Sequence, residues 1–328
     1  PLARIGRYRW AALSDDRERR SWLLFDASCS GEFIADIQHR LGAEFQPDQF
    51  ALSGPFAATS SAEQYMAGVT AVKQYISAGD CYQANLAQHF SAPYCGDPLT
   101  AYRALRAALP SPHSCYWQWR SGERDAALLS LSPERFLKLT DRRVETKPIK
   151  GTVARADDSQ TDLDNAAWLA ASEKDRAENL MIVDLMRNDI GRSCQPGSIA
   201  VDKLFGLESY ANVHHLVSTV SGQLRDDCSA AELLASCFPG GSITGAPKKR
   251  AMQIIDELEV HPRRYYCGSV FYWDYRGNLD SNILIRTAEK LGDTIYCWAG
   301  GGIVADSELE SEYQESLDKV SHITGITR

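Results

Sequence analysis

The chain has 328 residues, 44% of them hydrophobic and 24% charged, with 35 Lys and Arg against 43 Asp and Glu for a formal net charge of −8. That length supports one large domain or two smaller ones around a substantial core, and the mix excludes a disordered or low-complexity chain. The acidic balance argues against a nucleic-acid partner, which selects a basic face, and leaves any anionic substrate dependent on local cations within about 8 Å.

To about Gln49 the chain mixes short apolar runs with charge clusters and gives no firm assignment. Ser61 and Gln64 then form a capping box ahead of Tyr65, Val69, Val72 and Ile76, which share one helical face that Gly79 closes. Asp97-Pro98 opens a second helix carrying Leu99, Tyr102, Leu105 and Leu109. The runs "CYWQW", "AALLSL", "RFLKLT" and "RVETKPI", joined by tight turns at Ser121-Gly122 and Asp141-Arg142, predict antiparallel strands, the last ending at Lys150. From Asp162 to Asp189 the pattern is helical. Two further strands, "IAVDKLF" and "HHLVSTVSG", precede a helix capped by Ser229 and Glu232. "FPGGSITGAPKKRAMQIIDELE" reads as a glycine-rich loop feeding a helix from Pro247, and residues 267–303 as a three-strand meander with turns at 276–278 and 292–293. A last helix takes Ser307 as cap and runs to about His322. Strands grouped in hairpins with helices between the groups give an α+β fold.

The nine cysteines are scattered, without a Cys-x-x-Cys pair, as in a reducing cytoplasmic compartment. No apolar stretch reaches membrane-spanning length and no signal pattern opens the chain, so neither a membrane nor a nucleic acid is expected as partner.

Several constellations can carry chemistry. Asp175 and Glu178 lie three apart on one helix, and Glu312, Glu315 and Lys319 fall at i, i+3 and i+7 on another. Such sets are solvated ion-paired faces or the hard oxygen ligands of Mg²⁺. The run Gly300-Gly301-Gly302 after a strand exposes backbone N–H groups, as an anion nest or as a flexible turn. "GGSITGAPKK" is not a phosphate loop, because Pro247 separates Gly245 from Lys248 and neither Ser nor Thr follows Lys249. His214 and His215 are catalytic or satisfied strand residues, and Cys267 is a core thiol. Arg286 in "NILIRT" needs an anion, either a carboxylate of the protein or one of a ligand.

Taken together, "SPERF" (132–136), "PIKGT" (148–152), "DRAENLMIVDLMRNDIGR" (175–192), "HHLVS" (214–218), "GGSITGAPK" (240–248), "IRT" (285–287), "AGGGIVADS" (299–307) and "EYQESLDK" (312–319) closely resemble the chorismate-utilizing enzyme family. Within it they resemble the branch that converts chorismate to 4-amino-4-deoxychorismate for p-aminobenzoate and folate. The resemblance runs from about Ser61 to the C-terminus. It implies two packed antiparallel β-sheets flanked by helices, with residues 61–328 as the chorismate-binding catalytic domain and residues 1–60 as a shortened N-terminal segment packing on it.

What the resemblance implies for the site is specific. Anthranilate synthases carry alanine at the position of Lys150, whereas the aminodeoxychorismate branch uses lysine there as a nucleophile. Apolar walls and a nearby metal ease loss of such an amine's proton. Glu134 matches the general acid, and His215 a histidine near the ring. Glu178 and Glu315 match Mg²⁺ ligands, with Asp175 and Glu312 behind them through water. Arg286 and Tyr272 match residues gripping the enolpyruvyl carboxylate. Gly300 and Gly302 offer N–H groups, and Ser242, Thr244 and Lys319 match positions lining the pocket. The sequence contains no glutaminase signature, so ammonia is expected from solution or from a separate glutamine amidotransferase subunit, and no fused lyase is expected after Arg328. The rivals are an anthranilate, isochorismate or salicylate synthase and, from another class, a non-catalytic chorismate-binding subunit. Lys150 within "PIKGT" argues against the anthranilate synthases, "DLMRND" against the salicylate branch, and the pairing of Lys150 with Glu134 against mere binding.

Overall fold

A computed structural model describes residues 3–44, 46, 48–210 and 212–326. The chain divides into two compact units, residues 1–47 and 48–328. The smaller holds β1 (Trp10–Asp15) and β2 (Arg20–Phe25), an antiparallel hairpin, followed by α1 (Gly31–Leu41), whose N-cap Ser30 accepts from the Phe33 N–H. In the larger unit β3 (Phe50–Leu52) and β4 (Ala57–Ala58) both pair with β5 (Gln83–Gly96), so residues 48–60 are laced into the main body and not into the N-terminal segment.

Between them lies α2 (Ala62–Ser77). Its capping box is complete, since Ser61 accepts from the Gln64 N–H while the Gln64 side chain accepts from the Ser61 N–H, and Tyr65, Val69 and Val72 are its buried stripe. After β5 comes α3 (Pro98–Ala108), capped by Asp97 with proline at its first position. The chain continues through β6 (His113–Ser121), β7 (Arg124–Ser132), β8 (Arg135–Thr140), β9 (Arg143–Thr146) and β10 (Ile149–Ala154). Two helices follow, α4 (Ser159–Ala171) and α5 (Glu173–Gly191), and Ser172 both ends the first and caps the second by accepting from the Asp175 N–H. Then come β11 (Ala200–Ser209), β12 (Val213–Gln223), α6 (Ala230–Cys237), a 3₁₀ turn at Gly241–Ile243, the two-residue β13 (Gly245–Ala246) and α7 (Lys248–Leu258). The chain closes with β14 (Phe271–Trp273), β15 (Leu279–Asn282), β16 (Thr287–Leu291), β17 (Thr294–Ile303) and α8 (Leu309–Thr324).

Every strand pairing is antiparallel. One sheet runs β10-β12-β9-β8-β15-β14 with β11 added beside β12, and the other runs β13-β5-β17-β16-β7-β6 with β3 and β4 added to β5. Phe136, Leu137, Val144 and Val220 of the first sheet pack with Val183 and Ile190 of α5 and Leu233 of α6. Leu129, Leu131, Ile295 and Phe90 of the second pack with Leu105 of α3 and Val320 and Ile323 of α8.

Three expectations change here. The run expected as one strand ending at Lys150 is split, because Lys147-Pro148 interrupts it; β9 stops at Thr146 and Lys150 is the second residue of β10. The expected meander is four strands shared between both sheets: β14 and β15 belong to the first, β16 and β17 to the second, and residues 283–286 carry the chain across. The last helix takes Glu308 as its N-cap, while Ser307 donates to Glu312 Oε1 at 2.6 Å.

Candidate active site

A cavity of about 570 Å³ opens in the larger unit, walled by β10 and β12 from one sheet, β5 and β17 from the other, and the N-terminal turns of α5 with one face of α8. Glu134, Lys150, Asp175, Glu178, His215, Ser242, Arg286, Gly300, Gly302, Glu312, Glu315 and Lys319 all line it. Twelve of the fourteen sequence candidates thus meet in one place.

Lys150 is aimed by a β-bulge. The register of β10 against β12 slips between Ile149↔Val217 and Thr152↔His215, so Lys150 and Gly151 together oppose Leu216. Gly151 has φ +77°, and a Cβ there would fall 2.8 Å from Leu169 Cδ1 and 2.9 Å from Asp175 Cγ, so both the turn and the close approach of α5 require glycine. The ammonium of Lys150 then sits 3.5 Å from Glu178 Oε2.

Glu134 lies in the turn between β7 and β8 and is 6% exposed. Its Oε1 accepts a 2.7 Å hydrogen bond from Ser242 Oγ. Burial raises its carboxyl to about 7, against the lowering effects of the Ser242 hydroxyl and the Lys150 charge. A carboxylic acid that keeps its proton near neutrality is a proton donor. Burial, with the Arg286 charge adding to it, lowers His215 to about 4, so its imidazole is neutral at pH 7; Nδ1 is 2.8 Å from Thr152 Oγ1. The adjacent His214 points the other way and is satisfied by Asp162 and Ser209.

Arg286 sits in the crossing between β15 and β16, with φ +49° and its carbonyl fixed by the Leu131 N–H at 3.0 Å. Among the described residues its guanidinium has neither a hydrogen-bond nor an ion-pair partner, and burial pulls its pKa down. The internal salt bridge that the sequence left open is absent, so the charge awaits an outside anion.

On α8, Lys319 Nζ bonds Glu315 Oε1 at 2.5 Å and donates to the Gly300 carbonyl at 2.9 Å. Burial acts to raise Glu315, but Lys319, with Lys150 and Lys174 nearby, brings it below its ordinary value. Burial raises Glu312, with Glu315 beside it. Gly301 is the glycine that backs onto this cluster: a Cβ would lie 2.8 Å from Glu312 Oε2. Gly300 and Gly302 stand opposite Ala87 and Asn85, whose N–H groups bond Glu259 and the Thr244 carbonyl, so these register positions sit outside the β5–β17 ladder bonds.

Mg²⁺ fits the chemistry of this donor set. It is bound through one or two carboxylates, the other positions being filled by water and substrate oxygens. Glu178 and Glu315, on separate helices, meet that demand. Among the described residues no group of three acidic, histidine or cysteine side chains is close enough to form a closed metal cage.

Two candidates lie outside this cavity. Tyr272 is on β14, the terminal strand of its sheet, and is 66% exposed, while Tyr266 lines the pocket. Thr244 is buried with its hydroxyl donating to the Gly240 carbonyl at 3.0 Å, and it faces a second cavity behind the 3₁₀ turn. Sequence reasoning missed Asn85, Thr152, Lys174 and Trp298, which also line the pocket. Thr152 stood inside the quoted "PIKGT"; Asn85 carried no signal, because β5 itself went unrecognised.

With this geometry the family can be stated: residues 1–325 match the chorismate binding enzyme family, and the chain belongs to it. The chain is 46% identical over 326 residues to aminodeoxychorismate synthase component 1 of Escherichia coli and 48% identical over 328 residues to that of Klebsiella aerogenes, covering 98% of this chain and 70% of each relative. Its fold matches the crystal structure of anthranilate synthase component I from Streptococcus pneumoniae with a TM-score of 0.85 at 31% identity, covering 97% of this chain and 72% of that one. The menaquinone-specific isochorismate synthase of Escherichia coli shares the fold with a TM-score of 0.73 at 20% identity, covering 93% and 71%. Among the described residues no helix is long and apolar enough to cross a membrane.

Proposed function

We propose that the chain is a chorismate-utilizing enzyme that aminates chorismate to 4-amino-4-deoxychorismate, drawing ammonia from a separate glutamine amidotransferase component. The observation that carries this reading is one cavity in which a bulge presents the amine of Lys150 beside the buried carboxyl of Glu134, which burial raises to about 7. The similarity to aminodeoxychorismate synthases along nearly the whole chain supports it.

Lys150 Nζ, as the free amine, bonds to carbon 2 of the ring; both conjugated ring double bonds shift by one position and the carbon 4–oxygen bond breaks. Glu134 gives its proton to the departing hydroxyl, which leaves as water. Ammonia then bonds to carbon 4, both double bonds shift back, and the lysine nitrogen leaves carbon 2 as a neutral amine. The proton shed by the new ammonium returns to the Glu134 carboxylate. Arg286 takes the enolpyruvyl carboxylate, and neutral His215, its ring held by Thr152, lies beside the substrate ring. Glu178 and Glu315 would hold Mg²⁺, with Asp175 and Glu312 supporting them, and the ion would supply charge neutralisation and orientation for the ring carboxylate. The nine free thiols suit a cytoplasmic setting.

The test is a product assay with chorismate, Mg²⁺ and ammonium salt. Wild-type protein is expected to release aminodeoxychorismate, and Lys150→Ala to lose most of it; mass spectrometry on the working enzyme should find the substrate attached at Lys150. Anthranilate as the wild-type product overturns the reaction, and an unchanged rate in Lys150→Ala overturns the nucleophile.

A further inference from the structure

Among the described residues the carboxyl of Glu134 has a single side-chain hydrogen-bond partner, Ser242, and that partner rides on a turn stitched to β5. Ser242, Ile243 and Thr244 offer three successive carbonyls. Asn85 Nδ2 donates to Ser242 O at 3.0 Å, Arg263 Nη1 to Ile243 O at 2.9 Å, and the Asn85 backbone N–H to Thr244 O at 2.9 Å. Arg263 also donates to the Asn85 carbonyl at 3.0 Å. The Asn85 amide is itself oriented, because Gln83, fully buried, donates to its Oδ1 at 3.0 Å. A directed series thus runs from Gln83 through Asn85 to the Ser242 backbone, and from the Ser242 hydroxyl at 2.7 Å to Glu134 Oε1.

The glycine run closes the same series from the other side. Gly302 stands opposite Asn85 in the β5–β17 register, and a Cβ on it would lie 2.6 Å from Gln83 Nε2 and 3.0 Å from Asn85 Oδ1. Its missing side chain is the space that the Gln83–Asn85 pair occupies.

We infer that Asn85 is a positioning residue for the proton donor: it fixes the turn so that the Ser242 hydroxyl engages Oε1 of Glu134 as the carbonyl oxygen and the acidic proton resides on Oε2. The inference rests on the reading of Glu134 as the acid. Among the described residues, the charged group acting on that carboxyl is Lys150 on β10. Without the bond to Ser242 O, the turn keeps its tie from Arg263 to Ile243 O but loses the one on Ser242 itself, and with it the aim of the hydroxyl. A hydrogen bond to a carboxylate favours the ionised form, so weakening it lets the acid hold its proton to higher pH.

The experiment uses Asn85→Ala and, as a variant that deletes nothing, Gly302→Ala. In turnover, kcat should fall about 10- to 100-fold with the chorismate KM within about twofold, and the basic limb of the pH–rate profile should move to higher pH. In the infrared, the protonated-carboxyl band, assigned by its loss in Glu134→Gln, should move to higher frequency in both variants. A band that stays in place, or a KM that rises alone, overturns the inference, the latter because Asn85 would then be touching substrate. The infrared readout needs no turnover, so a shifted band in a protein that fails to aminate chorismate refutes the proposed reaction and leaves the positioning role standing.

Discussion

Arg286→Met tests the charge logic of the pocket. Of the pocket's lysines, Lys150 faces Glu178, Lys319 is bonded to Glu315, and the charge of Lys174 acts on Glu315. Arg286 is desolvated in the sheet crossing and has no carboxylate of its own among the described residues. Deleting one member of a desolvated ligand–protein charge pair costs about 2–5 kcal/mol, and about 1.4 kcal/mol is tenfold in affinity, so the variant should bind chorismate roughly 30- to several-thousand-fold more weakly. Stability should move the other way. Replacing an uncompensated charge by an apolar chain of similar length removes a desolvation cost, so the unliganded variant should melt no lower than wild type. Both quantities come from one thermal-shift series with and without chorismate. At about 100 times Kd a ligand stabilises by about 2.7 kcal/mol, a shift the wild type should show and the variant should not at equal concentration. A variant that melts lower yet keeps the ligand-induced shift would show that Arg286 serves the fold and not the substrate.

Glu134→Gln should abolish the basic limb of the pH–rate profile, which in wild type is centred near pH 7, where the buried carboxyl loses its proton. The same residue leaves a stability signature: its folded value lies above its unfolded one, so its contribution is complete below about pH 4.5 and is lost as pH rises through 7. Chemical denaturation should therefore show Glu134→Gln gaining on wild type from pH 5 to pH 8, by roughly 3 kcal/mol at most; parallel curves would mean the carboxyl is ionised throughout. Gly151→Ala should cost about 1–3 kcal/mol of stability and most of the activity, because it strains a left-handed residue and drives a methyl into Leu169 and Asp175. Unchanged melting and turnover would mean that the bulge does not aim Lys150.

What could be read from the sequence depended on whether a local rule agreed with tertiary context. The capping boxes at Ser61 and Ser229 specify their helices by side-chain chemistry alone, and both formed with every predicted bond. β5 escaped because Gln88, bonded to Ser316 Oγ at 2.6 Å, interrupts its buried face of Ala84, Leu86, Phe90, Ala92 and Tyr94, so the apolar alternation is broken at its centre. The crossing at 283–286 was read as a continuing strand because "ILI" is as apolar inside a crossover as inside a sheet. The carboxylates of α5 and α8 were legible from i, i+3 spacing, but their meeting in one cavity was supplied by the family resemblance. The Asn85–Ser242–Glu134 series joins segments more than a hundred residues apart at both links, and spacing holds no trace of it.

The passage of residues 283–286 from one sheet to the other gives the cleft a mechanical character. Arg286 is spliced into that bridge, while Lys150 and His215 hang from one layer and the glycines from the other. A dianion gripped at both ends would therefore act as a rivet between the layers, and relative sliding of the two sheets would be felt first as a change in grip on the guest.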